Sequence, residues 1–376
     1  MELELTPEQE ELREAIRSVL VKESPVALAR AVAEDGIRPA ALWSTMTDLG
    51  WPALTVPEAD GGIGLGPVEA GILAEELGRA LTPGPLLPTV TQYVPAVRAC
   101  ATPEQRAERL GPVAAGAVSG SLAVHEEAGF DPALTTATVR IDGDRAVLTG
   151  EKRFVMEGDA VDEIVVVART PGTSGDDGVR AVVVPATAVR ARAVRSFDPT
   201  RRFAHLDLEG VSVPADRVLG AADGPSAAAA LRAALDEATV GLALEMVGTA
   251  QTIFDRTHEY ALQREQFGVP IGSFQAIKHK FADMMIAVER ARATGYFAAL
   301  TIAEDDPRRA SASSVAKAAA GDCQRLLGKE GIQIHGGIGY TWEHDMHLYV
   351  RRNKACSLLF GTPAEHRERI ARHLGL

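Results

Sequence analysis

Apolar residues recur at helical spacing near the start of the chain, where Leu12, Ile16, Val19 and Leu20 follow Thr6-Pro7-Glu8-Gln9. That tetrapeptide supplies an N-cap, a proline at the first helical position and a capping-box glutamine, so the pattern predicts a helix from about Pro7 to Lys22. Leu42 to Leu49 reads as a second helix, and the glycine-dense Asp60 to Pro67 as a loop feeding a third that ends near Gly78 with the glycine as cap. Past the turn-rich Thr82 to Pro88, two more helical stretches reach about Leu110. The period changes near Ser119. Short Val- and Thr-rich runs at Thr135 to Ile141, Ala146 to Thr149, Ile164 to Ala168 and Val179 to Pro185 read as strands, and Asp142-Gly143 marks a hairpin. Beyond a connector at Ala221 to Pro225, helical periodicity returns over Ser226 to Arg264, Ser273 to Glu304, Pro307 to Ile334 and Pro363 to Leu374. Helices this long belong to a bundle of antiparallel neighbours. The expected fold is α+β and multidomain: an N-terminal helical domain over 1–118, a middle antiparallel β-barrel or sandwich over 119–220, and a C-terminal helical bundle over 226–376.

Composition narrows the function. With 376 residues, 46% hydrophobic and 24% charged, the chain reads as an ordinary globular protein of two or three units. Its 39 basic and 51 acidic residues leave a net charge of −12, which repels nucleic-acid backbones and anionic membrane surfaces. No apolar run approaches the roughly 20 residues that span a bilayer, and the stretch Met1 to Glu10 is acidic where a signal peptide is basic and then apolar. A cytoplasmic location is expected, with neither nucleic acid nor membrane as partner. Cys100, Cys323 and Cys356 are too far apart for a knuckle or framework and are expected as buried thiols.

Two segments carry candidate chemistry. Arg264-Glu265-Gln266-Phe267-Gly268 and Pro270 to Gln275 lie between long helices: Arg264 ends one, Phe267-Gly268 turns the chain, Ser273 caps the next, and Gln275 stands in its first turn. The arrangement suits either a capped corner with a solvated arginine or an anion held at a helix N-terminus. In Gln333-Ile334-His335-Gly336-Gly337-Ile338-Gly339 the glycines follow a helix, which excludes a Rossmann fingerprint and leaves a helix C-cap or a close approach to a flat or phosphorylated ligand. His335, His344, Asp345 and His347 have no tidy metal spacing and are expected in structural hydrogen bonds, so no metal is assigned. Asp236 and His258-Glu259 are expected on exposed helix faces. Arg201-Arg202 suits a solvated pair or a contact to a ligand phosphate or acidic substrate tail, and Arg351-Arg352 a similar or interfacial pair.

Together with Leu49-Gly50-Trp51, Val56-Pro57-Glu58, Gly61 to Gly66 and Glu75-Glu76-Leu77-Gly78, these segments resemble the acyl-CoA dehydrogenase family over essentially the whole chain. The resemblance implies a helical domain, a β-domain and a four-helix bundle, assembled as a dimer or dimer of dimers with FAD at the subunit interface. It implies acyl-CoA as substrate and an electron-transfer flavoprotein as electron acceptor. It sets Arg264, Phe267, Gln275, Gln333, Gly336 and Gly337 against a neighbouring subunit's FAD, and Phe154, Met156 and Thr362 with the chain's own cofactor residues.

Departures from the family pattern fall on the flavin side. Val124 to Asp131 replaces a Thr-Glu-Pro-like loop, and Phe154-Val155-Met156 replaces Trp-Ile-Thr or Trp-Ile-Ser, so Met156 lacks the hydroxyl that hydrogen-bonds a flavin. The family's reaction needs a carboxylate to take the α-proton while the β-hydrogen leaves as hydride. The two usual places for it hold Phe360 and Ala238. Glu245, seven residues beyond Ala238, returns to the same helix face and is the candidate base, ahead of Glu237; a satisfied polar residue or a solvated helix position is the favoured alternative for it. Three arrangements follow: one subunit of a heteromeric dehydrogenase whose partner supplies carboxylate and flavin cleft, a homo-oligomer with its base moved to Glu245, or a catalytically silent scaffold of the same fold.

Overall fold

The computed structural model describes residues 4–221 and 224–376. Residues 222 and 223 of the expected connector lie outside the described residues.

Helices open the chain: α1 (Pro7–Glu23), α2 (Val26–Asp35), α3 (Ala40–Asp48), α4 (Pro67–Arg79), the single turn α5 (Leu86–Pro88), α6 (Val94–Cys100) and α7 (Pro103–Ala114). The capping box expected at Thr6 forms, with its hydroxyl accepting from Gln9 N–H. Gly78 does not cap α4. It lies inside the helix, where an added Cβ would stand 2.1 Å from the carbonyl oxygen of Glu245; at Gly248 a Cβ would meet Glu75 O at 1.8 Å. The two glycines let α4 and the long helix behind it touch backbone to backbone.

Among the described residues nine strands follow: β1 (Gly120–Ala123), β2 (Thr138–Asp142), β3 (Arg145–Thr149), β4 (Glu151–Met156), β5 (Glu163–Arg169), β6 (Val179–Pro185), β7 (Arg190–Ala193), β8 (Phe203–Asp207) and β9 (Val211–Pro214). One sheet runs β1-β5-β2-β3-β9 with β6 on β5, and a second runs β4-β8-β7. The β2–β3 hairpin turns at Gly143 with φ +61°, as Asp142-Gly143 predicts. Most pairs are antiparallel as expected, but β1 runs parallel to β5 and β2 meets β5 in parallel at Thr138 and Arg169. β1 arrives from the helical domain and is buried at all four residues, the usual setting of a parallel strand.

The chain closes with α8 (Ala228–Gln263), the two-residue strands β10 (Glu265–Gln266) and β11 (Val269–Pro270), then α9 (Gln275–Ala303), α10 (Arg309–His335), α11 (Met346–Cys356) and α12 (Pro363–His373). Helix α8 is roughly 54 Å long at 1.5 Å per residue and is the axis of the molecule. Its buried face joins the N-terminal helical core around Ile72, Leu77 and Tyr93 and the bundle core around Ile253, Met284 and Leu327. Because α8, α9 and α10 alternate in direction, the end of α8, the start of α9 and the end of α10 lie together at one end of the bundle.

Candidate functional site

The chemistry implied by the sequence falls on three places around α8. At the first, Phe360 lies in the turn between α11 and α12, buried, with φ +52°. Its ring stacks on His125 at 5.8 Å and meets Phe130 edge-on at 6.3 Å. Phe360 N–H donates to His125 Nε2 (3.3 Å), so His125 carries its proton on Nδ1, while His366 Nε2–H donates to Phe360 O (2.8 Å). From α10, the buried Lys317 ammonium donates to Leu359 O at 2.7 Å, Gly361 O at 2.9 Å and Ser357 O at 3.3 Å. Three carbonyls aimed at one nitrogen fix a backbone that a phenylalanine rarely adopts. Burial pushes Lys317 down to about 7, and burial, with Lys317 nearby, pushes His125 and His366 each to about 4. The result is a dry block of four rings held from behind by a lysine.

Gly361, at φ +98°, seals this block. An added Cβ would stand 3.0 Å from both Phe130 Cε1 and His366 Nε2. Gly361→Ala is therefore expected to lower stability by about 1–3 kcal/mol, seen as a reduced urea midpoint.

The second place is Glu245 itself. Its carboxylate accepts from Arg201 Nη1 at 2.9 Å and Nη2 at 2.5 Å, from Arg352 Nη1 at 3.0 Å, and from Cys356 Sγ at 3.5 Å. Arg352 also donates to Asp198 Oδ2 at 2.6 Å and Thr200 Oγ1 at 2.7 Å. All of these side chains are buried. Burial opposes the charge on Glu245, and the two guanidiniums outweigh it, holding its pKa below the usual carboxylate range. Glu245 shares a helix face with Ala238, as its spacing predicts, but both its oxygens accept from buried guanidiniums. Glu237 is tied to Arg98 at 2.7 Å, and Ala238 lies in the core.

Flavin-side residues separate. Phe154 is 48% exposed at φ +52° and meets His205 edge-on at 5.0 Å. Met156 is buried, with its sulfur 3.7 Å from Gln92 Nε2. Thr362 caps α12, its hydroxyl accepting from Glu365 N–H at 3.3 Å.

The third place is the end of the bundle. Phe267 and Gly268 have φ of +56° and +80° and form the turn between β10 and β11, leaving Phe267 94% exposed and edge-on to Phe274 at 6.2 Å. Arg264, Gln275, Gln333, Gly336 and Gly337 are exposed on the same end. A Cβ at Gly336 or Gly337 would meet nothing within 4 Å. Tyr260 stacks on His335 at 4.5 Å and joins the two corners. Ser273 does not cap α9; its hydroxyl donates to Pro270 O at 2.7 Å, and Phe274 takes the cap position. The six residues expected against a neighbouring subunit's FAD thus share one open surface, and Phe154, Met156 and Thr362 lie away from it.

Other expectations resolve plainly. Asp236 is not an exposed charge: Ser313 Oγ donates to it at 2.9 Å, and burial raises its pKa. Arg201 and Arg352 are buried instead of solvated, Arg202 pairs with Asp159, and Arg351 lies between the rings of Phe197 and Trp342. His258-Glu259 is exposed. His335 Nδ1 contacts Gly331 O at 2.8 Å, and His344 Nδ1 accepts from Met346 N–H at 3.2 Å. Cys323 and Cys356 are buried, Cys100 partly so. Lys317 escaped the sequence reading, although a signal exists: it shares a helical phase with Ser313, Ala316, Ala320 and Gln324, the buried side of α10.

Residues 228–375 match the family model of the acyl-CoA dehydrogenase C-terminal domain, and residues 6–117 that of the N-terminal domain. The chain is 34% identical to acyl-CoA dehydrogenase IpdE2 of Mycobacterium tuberculosis, covering 97% of this chain and 98% of the relative. Among solved structures it resembles a chain of the ChsE4-ChsE5 complex of Mycobacterium tuberculosis, with a TM-score of 0.88, 26% identity and coverage of 100% and 99%. Butyryl-CoA dehydrogenase of Megasphaera elsdenii gives a TM-score of 0.90 at 26% identity over 100% of both chains.

Proposed function

The chain belongs to the acyl-CoA dehydrogenase family, a family of FAD-dependent oxidoreductases, and from that premise we propose that it is one of two unlike subunits of a heteromeric acyl-CoA dehydrogenase. In this reading the chain grips the adenine side of a partner subunit's FAD through Arg264, Phe267, Gln275, Gln333, Gly336 and Gly337. The partner subunit supplies the flavin cleft and the carboxylate that takes the α-proton of an acyl-CoA thioester. Electrons then pass to an electron-transfer flavoprotein.

The observation that carries this reading is the block at Phe360. Four rings and Lys317 fill the place where the family resemblance sets the base. The cavity of about 330 Å³ beside Phe130 and His366 is open to solvent and is lined on α8 by Leu235, Asp236 and Thr239, with Asp236 held by Ser313. On the chain's own flavin side Met156 is packed away without a hydroxyl and Thr362 caps a helix, whereas the bundle end offers a guanidinium, an exposed ring and two glycines whose backbone is open to close approach. ChsE4-ChsE5, a complex of two named proteins, supplies a precedent among structural relatives. A homo-oligomer working through Glu245 would require that residue to leave both Arg201 and Arg352.

The test is flavin content and acyl-CoA oxidation for the chain purified alone and co-expressed with a second dehydrogenase-like chain. FAD and turnover are expected only in the mixed complex, at one FAD per unlike pair, and Arg264→Ala is expected to weaken FAD retention roughly tenfold, the loss of one charge-assisted contact. Turnover with bound FAD in the lone protein would overturn the proposal; no flavin in either preparation would favour the scaffold.

A further inference from the structure

We infer that the cleft between α2, α3 and the β-domain is a second binding pocket, remote from the Phe360 block, for a small neutral molecule with an apolar body and one hydrogen-bond donor. The cleft encloses about 350 Å³, within the range of roughly 300–1,000 Å³ typical of small-molecule sites. Trp43, Met46 and Leu86 make one wall apolar. Glu157 forms part of the opposite wall, at the end of β4.

Glu157 is 3% exposed and has φ +54°. Its Oε1 accepts from Arg202 N–H at 3.2 Å, and its own N–H donates to Arg202 O at 3.0 Å, so the residue is fixed to the neighbouring loop. Its Oε2 accepts no hydrogen bond among the described residues, yet it is not among the fully enclosed partnerless atoms; because Glu157 lines the cavity, Oε2 is the oxygen left to face it. Burial raises the pKa of this carboxyl, which marks an acceptor poorly served by solvent.

The other charges at the cavity are of both signs. Arg202 Nε pairs with Asp159 Oδ1 at 3.2 Å, Arg38 donates to the backbone Asp159 O at 3.1 Å, and Asp162 Oδ2 accepts from Ser119 N–H at 2.8 Å and from Ser119 Oγ at 2.7 Å. An anion would meet the carboxylates of Glu157 and Asp162, and a cation the guanidiniums of Arg38 and Arg202. A neutral ligand that donates to Glu157 Oε2 meets neither penalty. A water at Oε2 would leave the wall of Trp43, Met46 and Leu86 without an apolar partner, so a molecule that covers the wall and donates to the carboxyl gains on both counts.

Equilibrium dialysis of the purified, assembled protein against 2-naphthol and 2-methoxynaphthalene tests this, because the two share a bicycle and differ in the donor. Saturable binding of one 2-naphthol per chain is expected, at least tenfold tighter than the methoxy compound, with quenching of Trp43 fluorescence. Glu157→Gln keeps an acceptor for Arg202 N–H but presents an amide N–H to the cavity, and is expected to shrink the preference for 2-naphthol severalfold, since the methoxy oxygen then gains a donor. Ala160→Phe, which adds a ring to the cavity lining, is expected to abolish binding. Equal affinity for the two compounds, no saturable binding of 2-naphthol, or binding unchanged by Ala160→Phe would each overturn the proposal. The comparison of compounds uses the unaltered protein and does not depend on either variant folding.

Discussion

Glu245→Gln is expected to destabilise the fold by about 3–5 kcal/mol, the usual consequence of removing one partner from a buried ion pair. The native cluster sets the carboxylates of Glu245 and Asp198 against the guanidiniums of Arg201 and Arg352, two charges of each sign away from water. Glutamine keeps the shape and one acceptor, but its amide hydrogens face guanidinium donors, and one positive charge is left uncompensated where water cannot reach it. The cluster ties the loop before β8, the middle of α8 and the end of α11, so its loss is expected to lower the urea midpoint of the whole chain in one transition. The same variant distinguishes the two roles open to Glu245. A catalytic base would leave the midpoint near its original value and abolish turnover of the complex; a structural carboxylate lowers the midpoint first. A stable Glu245→Gln protein would reject the structural assignment.

That distinction could not be read from the chain alone, and the reason is physical. Helical phase places Glu245 on the face of Ala238 because seven residues are close to two turns, and the structure agrees. Phase says nothing about what stands opposite. The partners Arg201 and Arg352 lie 44 and 107 residues away in the chain, on a β-domain loop and on α11, a helix absent from the sequence reading because Arg351, Arg352, Asn353 and Lys354 break its apolar stripe. Arg352 is fully buried there, so a residue type that argues for surface is a core member once its charge is paired. The long bundle helices were legible to within about two residues because their periodicity is local. β1 and β4 were not: β1 is four residues long, and β4 carries Lys152, which is buried against Glu126, and Arg153 in its interior. At the proposed base position, the hydrocarbon at Phe360 was plain in the sequence. The rings that close over it come from residues 125, 130 and 366, which only the folded chain brings together.

Those rings set the second large effect, an acid limb of stability centred on two imidazoles. His125 and His366 titrate near 4 in the fold, pushed down by burial and by Lys317, against an ordinary value of about 6.5. A depressed imidazole is neutral in the fold wherever it is neutral in the unfolded chain, so above about pH 6.5 neither residue costs stability. As pH falls through 6.5 the unfolded chain takes up protons that the fold refuses, and stability is lost until the folded groups titrate near 4. At roughly 1.4 kcal/mol per pH unit, each imidazole withdraws about 3 kcal/mol over that interval. Urea midpoints measured at pH 7 and pH 4.5 should therefore differ strongly. The variant His125→Gln/His366→Gln should flatten the difference, since glutamine accepts from Phe360 N–H at the first position, donates to Phe360 O at the second, and takes up no proton at either. An unchanged acid limb in that double variant would mean that the imidazoles are already charged or solvated in the fold, and the dry block that closes this chain's cleft would not exist.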